Sequence, residues 1–282
     1  MEEKKPLWTF KKHALITGAS NGMGRELALR LVGVCRRLTL VARNRDGKLD
    51  ELARQLRTRA TNGNIQTEVA TASLDICDRE GAACLLRKIY EQEKDPVEIF
   101  INCAGGTHVY DTFESMSPED IERIFDTNAK APIFWLRELL PRMKRDSLEP
   151  GNPKRGHVLM LSSRSGERTL PNLSVYTAAK GAVEKLVEAL QKEYAQYRIV
   201  FTLVNPGSIN TAFTANWSEK TRAAHNEESM TVEEAVLPVL HALNASFAIN
   251  RISYESLQQW LNEPGVLIDR PQRVKRRAPA MK

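Results

Sequence analysis

The octapeptide Thr17-Gly18-Ala19-Ser20-Asn21-Gly22-Met23-Gly24 stands between an apolar segment, KHALIT, and RELALRLVGVC, whose apolar residues recur at helical spacing. Glycines at such a junction adopt backbone angles closed to other residues and let another main chain, or a ligand, come close. Free N–H groups at the start of the following helix, together with its dipole, favour an anion there. In this strand–turn–helix setting the pattern predicts a dinucleotide-binding turn.

The same alternation continues along the chain. RLTLVA, EVATASLD, VEIFIN, GHVLMLS and RIVFTLVN read as further strands, each followed by a helical or loop segment. KLDELARQLRTRA reads as a charged helix with Leu49, Leu52 and Leu56 on one side. This rhythm predicts an α/β fold, a single doubly wound parallel sheet of the Rossmann type with helices on both faces. VEIFIN and HVLML are almost wholly apolar, as strands covered on both faces must be. The polar, Pro- and Gly-containing KRDSLEPGNPKRG reads as a surface loop and not a boundary, so one domain is expected over residues 1–269.

Of the 282 residues, 42% are hydrophobic, enough for a buried core. The longest apolar stretch, EEAVLPVLHALNASFAI, is interrupted by Pro238, His241 and Asn244, which argues against a membrane span. MEEKKPLWTF has no apolar core and carries Glu2 and Glu3, which argues against a secretory or transit peptide. Cys35, Cys77, Cys84 and Cys103 form no C-x-x-C pair, so they read as reduced thiols of a cytoplasmic protein with no metal site. His13 reads as a strand-edge residue, not a ligand. The net charge of +6 is matched by six basic residues, with no acid, in 270–282. The basicity is therefore that of a flexible C-terminal tail, and a nucleic-acid partner is not expected.

Tyr176 and Lys180 lie four apart in VYTAAKGAV, on one face of a helix, and Ser163 lies thirteen residues before Tyr176. A phenol has an ordinary pKa of about 10. A neighbouring ammonium is expected to lower it by about 1–3 units. Tyr176 is then the candidate general acid for a developing alkoxide, with Ser163 bonded to the same oxygen. Ser162 and Ser165 compete for the serine role.

These residues together resemble the short-chain dehydrogenase/reductase family, whose cofactor turn is T-G-x-x-x-G-x-G. The resemblance extends through Asn102-Cys103-Ala104-Gly105, Asn128 in DTNAKAP, the set Ser163, Tyr176 and Lys180, and Pro206-Gly207 with Ile209 and Thr211, over residues 13–211. It departs at Cys103, where the family usually has a second asparagine. Its register selects Ser163. The resemblance implies a cofactor held by Gly18, Ser20, Asn21, Gly22, Met23, Gly24, Asn102, Ala104, Gly105, Tyr176 and Lys180. It also implies that Lys180 holds the nicotinamide ribose, that Asn128 anchors a water leading to Lys180, and that Asp75 with Ile76 lies beside the adenine.

After RLTLVA, an NAD enzyme would place a carboxylate where this chain has Ala42, followed by Arg43 and Asn44. Arg43 is the candidate for a 2′-phosphate, so NADP is the expected cofactor, with Arg25 and Arg45 as possible helpers. Otherwise Arg43 is a solvated arginine at a strand end and Asp75 a turn residue. The expected activity is reduction or oxidation of a small-molecule carbonyl or alcohol. ARN and the short ending resemble sepiapterin reductases. Phe213 and Trp217 either cover an apolar or planar substrate or anchor their loop to the core. By the same resemblance, APIFWLRELLPRM and GAVEKLVEALQKEY pair across a two-fold axis into a homodimer or homotetramer. The alternative is a non-catalytic NADP-binding protein that interacts through its basic tail.

Overall fold

The computed structural model describes residues 12–60, 66–145, 154–211, 213, 217 and 219–261. The basic segment 270–282 and most of KRDSLEPGNPKRG lie outside these described residues.

Strands form where apolar or β-branched residues run without alternation. Strands β1 (His13–Thr17), β2 (Arg37–Ala42), β4 (Ile99–Asn102) and β5 (Gly156–Leu161) are buried at every position. Strand β6 (Ile199–Pro206) is nearly so, while β3 (Glu68–Ser73) alternates partly exposed residues at the edge of the sheet. All seven strands are parallel, in the order β3-β2-β1-β4-β5-β6-β7. The last, β7 (Arg251–Tyr254), pairs with β6 from Leu203 opposite Arg251 to Pro206 opposite Tyr254. Its four residues, RISY, three half-exposed and one exposed, carry no periodic signal, and the sequence does not announce it.

The chain leaves β1 towards β2 and β3, then returns to set β4 on the other side of β1. At such a reversal the connections diverge, leaving a crevice beyond the carboxyl ends of the two strands. One face of the sheet is covered by α1 (Gly22–Leu31), α2 (Lys48–Ala60) and α9 (Val232–Asn244), which follows α8 (Glu219–Glu228), through Leu27, Leu31, Leu49, Leu52, Leu56, Val236 and Val239. The other is covered by α3 (Arg79–Arg87), α5 (Ala131–Arg145) and α7 (Ser174–Tyr194), through Leu86, Trp135, Leu136, Leu139, Val183 and Val187.

Helix starts follow from side chains that satisfy free N–H groups. Asn21 accepts from Gly22, Asp78 from Gly81, and Ser117 from Asp120 ahead of α4 (Pro118–Phe125). Thr231 and Glu234 form a reciprocal capping box at α9. Helices α4 and α5 are joined by one π turn, Asp126–Lys130. No helix among the described residues is long and apolar enough to cross a membrane.

His13 opens β1, as expected, but is fully buried rather than marginal. Its ring is bonded to Thr39 Oγ1 at 2.8 Å and to the Asp95 carbonyl at 2.9 Å. His157 on β5 is likewise bonded to Thr202 Oγ1 at 2.8 Å. Burial lowers both rings, His13 to about 4 and His157 to about 3. Because the unfolded rings titrate near 6.5, the unfolded state binds more protons below that pH, so stability is complete above it and falls towards pH 4. His157→Gln is therefore expected to flatten the pH dependence of urea-unfolding free energy between pH 6.5 and 4 by about one proton's worth. An unchanged slope in that variant would show that His157 does not contribute.

Candidate active site

The turns that follow β1 and β4 touch at the sheet reversal. Gly18 has φ +67°, and a Cβ on it would lie 2.7 Å from the Ala104 nitrogen, so glycine is needed for both angle and space. A Cβ on Gly24 would overlap the Gly18 carbonyl, which brings the first turn of α1 against the glycine loop. Gly22 has φ +51° and faces only the Thr211 methyl at 3.4 Å. Beneath them, Thr17 Oγ1 donates to Asn102 Oδ1 at 2.9 Å in the buried interior.

These turns open on a cavity of about 1350 Å³. On its wall lie Gly18, Ser20, Asn21, Gly22, Met23, Gly24, Ala104 and Gly105, together with Pro206, Gly207, Ile209 and Thr211. Arg43, Asn44, Arg45, Asp75 and Ile76 border another part of it. Asn44, at φ 49°, has its side chain engaged elsewhere, bonding Asp50 at 2.8 Å and accepting from Leu49 N–H at 3.1 Å to start α2. Arg25 is not on the wall, because its guanidinium donates to Gln55 on α2 at 3.0 Å. Asp75 accepts from Cys77 N–H at 3.0 Å, and the Ile76 carbonyl accepts from the Trp135 indole at 3.0 Å, fixing both residues.

Asn102 and Asn128 stand behind the wall, each 1% exposed. The π turn places Asn128 so that its amide donates to the Gly106 carbonyl at 2.7 Å and accepts from Gly106 N–H at 2.8 Å. A Cβ on Gly105 would lie 2.9 Å from Asn128 Oδ1 and 3.1 Å from Lys180 Nζ, so both side chains converge on that glycine.

Tyr176 and Lys180 project from α7 into the same cavity, and Ser163 meets them from the end of β5. Ser163 and Ser162 are distinguished by their bonds. Ser162 Oγ donates to the buried Glu184 carboxylate at 2.9 Å. Ser163 caps the short helix α6 (Arg164–Glu167), accepting from Ser165 N–H at 3.0 Å, and is hydrogen-bonded to Tyr176. Ser165 is tied to Ser163 at 3.2 Å.

Burial raises the Tyr176 phenol above its ordinary value, and the Ser163 bond offsets only part of that. The lowering expected from Lys180 is therefore not what this structure holds. The Lys180 ammonium lies 5.6 Å from the Tyr176 ring centre and donates to the Leu161 carbonyl at 3.1 Å. Lys180 is itself lowered to about 8 by burial, against the opposing influence of Cys103 and Glu184. Cys103 is pushed up to about 12 by burial, so it stands beside Lys180 as a neutral thiol, and a small neutral group is what that position holds.

Beyond Tyr176 the wall is aromatic. The Phe213 ring lies 5.6 Å from Tyr176 and 5.7 Å from Trp217, which in turn lies 4.5 Å from Tyr110 and 5.3 Å from His225. Phe213 and Trp217 thus both border the cavity and pack against the core, so the two readings of this pair are not exclusive. Glu184, Gln259, Tyr110 and His225 are the participants the sequence does not signal. Gln259 reaches the wall through α10 (Leu257–Leu261), accepting from Ser208 N–H at 2.9 Å. No group of residues with metal-ligand character occurs among the described residues, and all four cysteines are unpaired.

The family model for short chain dehydrogenase matches residues 12–222. The chain belongs to the short-chain dehydrogenase/reductase family. It is 32% identical over 205 residues to dehydrogenase/reductase SDR family member 7B of Bos taurus, covering 72% of this chain and 59% of that protein, so it spans under two thirds of that relative's length. It is 28% identical over 229 residues to an uncharacterized oxidoreductase of Staphylococcus aureus, covering 81% and 90%. The fold also matches an alcohol dehydrogenase from the archaeon Thermococcus sibiricus complexed with 5-hydroxy-NADP. There the TM-score is 0.71 at 23% identity, over 88% of this chain and 97% of that one.

Gly18→Ala tests the seam. The added methyl meets Ala104 in a left-handed conformation, and the variant is expected to lose about 1–3 kcal/mol of unfolding free energy. Wild-type stability in denaturant titration would mean that the two turns can separate.

Proposed function

We propose that this chain is an NADP-dependent oxidoreductase acting on a carbonyl or secondary alcohol of a small molecule. The observation that carries the reading is the convergence of Ser163, Tyr176 and Lys180 on one cavity with the glycine turn, while the Ser162 hydroxyl is given to Glu184. The residues present fit a dinucleotide: Gly18 and Gly24 leave no room for side chains where the turn closes, and the start of α1 borders the cavity. When bound, NADP(H) supplies or accepts the hydride.

The protein's own work is positional and protonic. Ser163 orients the substrate oxygen, and Tyr176 delivers a proton to it in reduction. The neutral phenol that burial enforces is the form a proton donor needs. Lys180 replenishes or withdraws that proton through the polar region around Asn128 and Gly105, and it holds the ribose. Arg43, exposed at the end of β2 on the cavity rim, receives the 2′-phosphate, with Arg45 beside it; Ala42 offers no carboxylate to repel that group. Phe213 and Trp217 on the wall, with Tyr110 packed on Trp217, favour an apolar or planar substrate, pterins among them. The reading includes a homodimer or homotetramer paired through α5 and α7, and a cytoplasmic location in keeping with the unpaired cysteines.

NADPH oxidation measured across ketones, quinones, pterins and steroids tests the activity. Binding of NADPH with no turnover on any of them would favour the non-catalytic alternative. Tyr176→Phe is expected to lower turnover by about 10²–10⁴-fold with cofactor affinity nearly unchanged; near-normal turnover would remove the phenol from the mechanism.

Cofactor preference is the second expectation. A bond to a charged group is worth about 1.5–3 kcal/mol, so NADPH should exceed NADH in kcat/KM by at least about tenfold. Arg43→Ala should erase most of that difference by weakening NADPH alone. Equal use of both cofactors by the unmodified protein would overturn the assignment.

A further inference from the structure

Directly behind the proton site lies a charged cluster that joins α6, α7 and β7. Glu184 stands four residues after Lys180 on α7, one helical turn away, and is 4% exposed. Its carboxylate accepts from Ser162 Oγ at 2.9 Å, from the Asn205 amide at 3.1 Å and from Arg251 at 2.8 Å. Arg251 comes from the last strand, β7. It also reaches Glu167 at the end of α6 and Glu188 on α7, each at 2.8 Å. Glu167 accepts from Asn205 at 2.8 Å and from Ser253 on β7.

Glycine at 166 closes the arrangement. A Cβ there would overlap the Glu184 carboxylate, so α6 rests directly on that side chain. Helix α6 begins at Ser163 and α7 carries Tyr176 and Lys180. The spacing between Ser163 and the Tyr–Lys pair is thus set across Glu184. A buried carboxylate is tolerated only when its oxygens are paired, and here they are paired by β5, β6 and β7 together.

We propose that Glu184 is a positioning residue for the proton-transfer site: it holds the Ser162 hydroxyl, seats α6 against α7, and presents to Lys180 a negative charge that Arg251 of β7 attenuates. The inference rests on the reading of Ser163, Tyr176 and Lys180 as the proton site. Besides Glu184, Lys180 faces Tyr176 on its own helix, Cys103 after β4 and Asn128 from the π turn. Glu184 in turn faces Arg251, Glu167 and Glu188, with Arg164 bridging Glu167 and Glu255. A carboxylate one turn from Lys180 favours the ammonium, in the direction that opposes burial. The last strand thereby bears on the charge of a residue in the cavity.

The test is titration of Lys180 itself, by NMR of protein labelled at lysine Cε, with the Lys180 signal identified by its absence in Lys180→Met. Glu184→Gln keeps the size of the side chain and an acceptor for Ser162 and Asn205 but removes the charge. It is expected to move the Lys180 midpoint down by about one pH unit. Arg251→Met leaves the carboxylate and removes its counter-charge, so it should move the midpoint up; Arg251→Lys should restore it. A merely structural role would not give opposite signs in two variants that both disturb packing. No movement in either variant, or movement of both in one direction, overturns the proposal. The titration needs no turnover, so its outcome is separate from the activity reading. In an active enzyme, the alkaline fall of carbonyl reduction should track the same midpoints.

Discussion

The contact between the turn after β1 and the turn after β4 is the constraint from which the rest of the molecule follows. Gly18 against Ala104 leaves no space for a side chain, and the buried Thr17–Asn102 hydrogen bond pins the two strand ends in register. A parallel sheet that reverses direction at this pair must open beyond it. The helix that follows β1 then starts at the opening, with its unsatisfied N–H groups turned towards it. Everything placed on the cavity wall, from Arg43 on one side to Thr211 on the other, takes its position from that seam.

Ionisable groups on and behind the cavity wall are the second organising theme. Lys180 and Tyr176 are both displaced by burial towards their uncharged forms, the lysine downwards and the tyrosine upwards. With the phenol raised and the ammonium lowered, passage of a proton from a Lys180 ammonium to a Tyr176 phenolate runs downhill, because it cancels two charges in a dry environment. Cys103 fits the same logic: burial keeps its thiol protonated, so it adds no competing anion next to the lysine.

Much of this was legible in the sequence, for identifiable reasons. Strands covered on both faces leave uninterrupted apolar runs, so β1, β2, β4, β5 and β6 announce themselves, and the Leu49, Leu52 and Leu56 stripe marks the inner face of α2. The glycine turn and the Tyr–Lys spacing are local patterns and survive reading one letter at a time. What was not legible depends on distant partners. The Ser162 hydroxyl is engaged by Glu184 on another helix, and Arg25 is drawn off the wall by Gln55 on α2. The phenol's displacement depends on burial, which a neighbouring lysine in the sequence does not reveal. β7 is not legible because its four residues, three half-buried and one exposed, make no period.

The π turn between α4 and α5 has a consequence of another kind. Asp126–Lys130 inserts one extra residue into what would otherwise be a continuous α-helix, and that surplus swings Asn128 onto Gly106. Losing a single residue would rewind the segment into regular helix and rotate the asparagine away by roughly a quarter-turn. Length, more than composition, is what this stretch has to preserve.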